Sequence, residues 1–132
     1  MKQLIALALL TAVFTACKKD KNDDSDHTEF AGTITITSPA ENDTIVGGNS
    51  FVVTGTITGN MEMHGYQLQI FKTANDELVY EGSEHDHAEA FALNETITHS
   101  LTDTTALKLV VEAAGDHEGS TVTKEVHFTY IP

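Results

Sequence analysis

From residue 30 onward, apolar side chains alternate with Thr, Ser and charged residues, and no stretch of ten or more repeats at helical spacing. A period of two commits this segment to β-structure, because successive side chains on a strand point to opposite faces. Strands are expected at 33–37, 50–58, 65–72, 78–81, 90–101, 106–114 and 121–130. Tyr66, Leu68 and Ile70 fall on one face, Leu107, Leu109 and Val111 on another, and Val122, Val126, Phe128 and Tyr130 on a third. Those faces should make the core. Turn chemistry separates the runs at Ser38-Pro39-Ala40-Glu41-Asn42-Asp43, at Gly47-Gly48-Asn49 and at Ala74-Asn75-Asp76. About seven antiparallel strands in roughly one hundred residues suit an all-β sandwich.

The residues ahead of this domain follow a different logic. Residues 1–16 have a charged start, an apolar run from Leu4 to Phe14 and a small-residue exit at Thr15-Ala16, the pattern of a secretory signal. The run is shorter than the roughly 20 residues needed to span a bilayer. Phe14-Thr15-Ala16-Cys17 resembles the bacterial lipoprotein box, and the resemblance implies that Cys17 is lipidated and becomes the new N-terminus, with the membrane as partner through that anchor. Residues 17–28 then form a charged tether with no apolar residue after the cysteine, unable to offset its ordering entropy. The folded domain is expected over 29–132. A charged segment behind the lipidated cysteine is similar to that of Bacteroidota lipoproteins, which implies an outer-membrane or cell-surface location, or a periplasm-facing one.

Composition narrows the function. The chain has 7 Lys, no Arg and 20 acidic residues, for a net charge of −13. Three lysines cluster just after Cys17, so the domain has no basic face with which to bind nucleic acid. The single cysteine excludes an internal disulfide and thiolate-rich zinc sites. Length and strand spacing resemble immunoglobulin-like sandwiches, although the chain has no Trp and no cysteine pair.

Seven histidines are the compositional excess. If each connection reverses the chain, the segments 59–64, 82–88 and 115–120 fall at one end of the sandwich. Extended to Glu89, they hold 20 of 132 residues but four of the seven histidines (His64, His85, His87, His117), six acids and none of the lysines. His85-Asp86-His87 places two imidazoles on one side of an extended segment, a workable metal-ligand spacing. Neutral imidazole suits zinc and copper, and nearby carboxylates such as Glu62 and Asp116 can complete or orient the ligand set. Met61 and Met63 add soft sulfur if their thioethers point inward, and otherwise pack. Asp86 should face away from its histidine neighbours. His99 shares the inward parity of Phe91, Leu93 and Ile97 and is expected to be a hydrogen-bonded core residue, whereas His127 should face solvent and His27 lies in the tether.

His64-Gly65-Tyr66, His85-Asp86-His87 and Asp116-His117-Glu118-Gly119, in this order on such a lipoprotein, resemble small uncharacterised Bacteroidota lipoproteins with histidine-bearing loops. That resemblance implies a recurring histidine site of unassigned role. The expected function is an envelope lipoprotein binding zinc or copper at this pole. The alternative is a structural or protein-interaction module with no metal role and an unknown protein partner. Asp43-Thr44-Ile45 and Asp103-Thr104-Thr105 resemble the O-glycosylation sites of exported Bacteroidota proteins. Enzyme readings find little: no Gly-x-Ser-x-Gly elbow occurs, and the Arg and disulfide on which copper-zinc superoxide dismutase relies are missing.

Overall fold

The computed structural model describes residues 28–115 and 119–132. Eight strands follow one another: β1 (Gly32–Ser38), β2 (Thr44–Val46), β3 (Ser50–Met63), β4 (Gly65–Lys72), β5 (Leu78–Glu84), β6 (Ala88–Thr98), β7 (Thr105–Ala114) and β8 (Thr121–Ile131). One sheet has the order β1-β3-β6 and the other β2-β8-β7-β4-β5. This is an all-β, immunoglobulin-like sandwich in which the fifth strand joins the sheet of β4, β7 and β8.

Alternation produces the core. In β3, Phe51, Val53 and Ile57 are buried; in β4, Leu68 and Ile70; in β7, Leu107, Leu109 and Val111; and in β8, Val126, Phe128 and Tyr130. Both sheets contribute to a single cluster. Completely buried residues such as Leu109 and Ile57 contribute about 1.5–3 kcal/mol each through apolar area removed from water. Phe51 and Phe128 meet edge to face across the sheets, with ring centroids 5.6 Å apart.

Three details differ from the sequence expectation. First, Thr44–Val46 forms an additional strand that pairs in parallel with β8, so the strands number eight and are not all antiparallel. A strand of three residues, between two turn signals, is too short to display a period. Second, β3 continues to Met63 in place of an open connection over 59–64, leaving His64 alone between β3 and β4. Its pairing with β6 shifts between Thr58↔Ala90 and Met63↔Ala88, so β3 bulges where Gly59, Asn60, Met61 and Glu62 intervene. Third, β5 reaches Glu84, which shortens the next connection to residues 85–87.

Candidate functional site

The register dictates which connections share a pole. Gly65 pairs with Ala114, Tyr66 with Glu84, and Met63 with Ala88, so the ends of β3, β5 and β7 meet the starts of β4, β6 and β8. The His64 N–H donates to the Ala114 carbonyl at 2.9 Å, and the Gly115 N–H donates to the Ser120 carbonyl at 2.8 Å. The first bond ties His64 to the end of β7, and the second closes the base of the connection that follows β7. Gly65 makes the close approach feasible: its φ is +119°, and a Cβ there would lie 2.0 Å from the Glu84 carbonyl oxygen.

Three histidines converge on this pole. The rings of His64 and His87 are 4.5 Å apart at an interplanar angle of 71°, and those of His85 and His87 are 6.1 Å apart at 78°. The bulge of β3 brings Glu62 to them, with its Oε1 3.2 Å from His87 Nδ1. Both side chains are about half exposed or more, so the pair adds little stability and acts chiefly on ring orientation. A carboxylate at Nδ1 favours the tautomer protonated there, leaving the Nε2 lone pair for a ligand. Asp86 is exposed, and its Oδ1 accepts the His87 N–H at 2.8 Å, which shapes the turn.

The remaining sequence candidates are distributed differently. Met63 is fully buried in the core, in keeping with the packing alternative for this side chain. Met61 is partly exposed on the bulge. His117, Asp116 and Cys17 lie outside the described residues, as do the leader and most of the tether. Among the described residues, no group of three or more His, Cys, Asp or Glu is placed to hold a metal ion. Binding at His64, His85 and His87 therefore requires the exposed rings of His85 and His87 to rotate toward the half-buried His64.

A depression of about 210 Å³ beside the histidines is lined by His64, Tyr66, Gln67, Glu84, His85 and Glu112, among others. Beneath the pole, the buried Tyr66 hydroxyl donates to Glu95 Oε1 at 3.0 Å, linking the two sheets. Burial, then the hydrogen bond to Glu95 and its charge, push the Tyr66 phenol up to about 12. Sequence reasoning placed Tyr66 in the core but missed this pair. The available signal was a carboxylate at residue 95, on the inward parity of Phe91, Leu93 and Ile97.

The other two described histidines lie at the far pole. His99 is buried, with its ring 5.5 Å from Phe51 and 4.5 Å from Tyr130. Its Nδ1 accepts the Leu101 N–H at 3.3 Å, while Nε2 has no hydrogen-bond partner among the described residues. Burial holds its pKa below the ordinary imidazole range. His127 is exposed, with Nδ1 3.7 Å from Glu41 Oε1.

The fold is a β-sandwich with the rings of His64, His85 and His87 near one another at one pole. No family model and no curated protein matches the chain. Among solved structures, the crystal structure of CopC from Methylosinus trichosporium OB3b is similar, at 14% identity and a TM-score of 0.48, covering 77% of this chain and 95% of that one. A likeness of that size leaves function to be argued from the residues of the pole.

Proposed function

We propose that the protein is a lipid-anchored envelope protein that binds a transition metal ion, zinc or copper, through the histidines of this pole. The observation that carries the reading is the grouping of His64, His85 and His87 from two connections, with Glu62 set against His87 Nδ1. Imidazole nitrogen suits both metals, and the carboxylate supplies the orienting partner that metal-bound histidines commonly have. His117 and Asp116, outside the described residues, remain candidates from the sequence to complete the ligand set. The anchor at Cys17 and the kinship with Bacteroidota lipoproteins rest on the sequence motifs.

A structural or interaction module is the second reading. The observation in its favour is that, among the described residues, no three potential ligands are already arranged around one point.

The two readings separate on metal titration. The chain lacking residues 1–16, with Cys17→Ser to remove the lipid, should bind Zn²⁺ or copper measurably by calorimetry or competition with a chromophoric chelator. The His85→Ala/His87→Ala double variant should lose most of that affinity. Protons compete with metal for imidazole, so affinity should also fall on acidification. Absence of binding, or binding indifferent to the double variant, sinks the metal reading and favours the module.

A further inference from the structure

The chain joins the sandwich at the same pole that gathers the histidines. Asn60, in the bulge of β3, donates from Nδ2 to the Glu29 carbonyl at 2.9 Å and accepts the Ala31 N–H at Oδ1 at 2.9 Å. Its own N–H donates to the Ala31 carbonyl at 3.0 Å. Between these bonds Phe30 packs against the core, and a Cβ at Gly115 would lie 2.0 Å from its ring. Residues 29–31 are thus fastened to the segment that carries Glu62. From there β1 runs away from the pole, with Gly32 opposite Gly59 and Ser38 opposite Thr54.

We propose that the protein stands on its membrane with the histidine pole turned toward the bilayer. The proposal rests on the lipid-anchor reading of Cys17. The 12 residues from 17 to 28 reach at most about 40 Å when fully extended. The 14-residue strand β3 is itself about 45 Å long, so the far pole can stand up to about one strand length further from the lipid than the attached pole.

Charge keeps this pole in water. Glu62, Glu84 and Glu89 are exposed there, whereas Lys72 and Lys108 are paired with Glu77 and Asp76 at the opposite end. An acidic surface is repelled by anionic headgroups within a Debye length, about 8 Å at physiological salt. That repulsion disfavours insertion of the pole into an anionic bilayer.

The test uses the full lipidated chain in vesicles of phosphatidylethanolamine and phosphatidylglycerol carrying a headgroup-linked fluorescent acceptor. A donor dye is attached at Glu89→Cys, near the pole, or at Ala74→Cys, in the far-pole turn; the lipidated Cys17 offers no competing thiol. Transfer from position 89 should exceed that from position 74, because position 89 lies at the attached pole and position 74 up to about one strand length beyond it. Equal transfer, or greater transfer from position 74, overturns the orientation. Vesicle flotation separates the two failures: a chain that floats yet shows equal transfer refutes the orientation alone, whereas a chain that does not float refutes the anchor and the orientation together.

Discussion

Replacing Tyr66 with Phe deletes one hydroxyl from a buried ring and leaves Glu95 without its cross-sheet donor. The magnitude follows from two routes. A hydrogen bond to a charged acceptor contributes about 1.5–3 kcal/mol, and the partial exposure of Glu95 reduces this to about 1–2 kcal/mol. Independently, raising the phenol from 10.0 to about 12 corresponds to at most about 2.7 kcal/mol of preference for the protonated hydroxyl, an upper bound of the same order. The sign of the pH effect is fixed by linkage. The folded pKa is the higher one, so the contribution is complete below pH 10 and is lost as the unfolded chain ionises, through the interval up to about 12. Urea denaturation at neutral pH should show Tyr66→Phe less stable than the parent by about 1–2 kcal/mol, and this gap should narrow steadily above pH 10. The other tyrosines are common to both proteins and cancel in the difference. A double-mutant cycle with Glu95→Gln should give a coupling of about 0.5 kcal/mol or more. Equal stability at pH 7, or a gap that stays constant into the alkaline range, would refute the account of this pair.

Two further outcomes test the division between core and pole. Met63→Ala should destabilise the fold by about 2–5 kcal/mol in urea melts, because a fully buried side chain is removed, while zinc affinity per folded molecule stays unchanged; a large loss of affinity would return the thioether to the ligand set. His99 has a folded pKa below its unfolded value because burial disfavours the charged ring, so its contribution is complete above about pH 6.5 and is lost as pH falls toward the folded pKa. NMR titration should find the His99 midpoint below the ordinary imidazole value, and a midpoint above it would contradict the burial argument.

The pole was partly legible because topology follows from counting reversals. Strand order places His64, His85, His87 and His117 at one end; the rings of the first three stand near one another there, and His117 lies outside the described residues. Which side chains turn inward was harder to read. Met63 is grouped with Met61 on the basis of a loop, but β3 continues through to Met63, which shares the inward parity of Phe51, Val53 and Ile57 and so enters the core. The Asn60 clamp on residues 29–31 spans some thirty positions, a distance at which local pattern carries no information.

The sequence by itself determined the class of fold, the main core faces and the concentration of acid and histidine on a few connections. Each is a property of spacing along the chain, which the period of a strand converts directly into a face. Tertiary structure decided the β2–β8 pairing, the bulge that aims Glu62 at His87, the Tyr66–Glu95 link between sheets and the pole at which the chain joins the sandwich. These depend on register and on contacts between distant segments, where a shift of one residue reverses which side chains point inward.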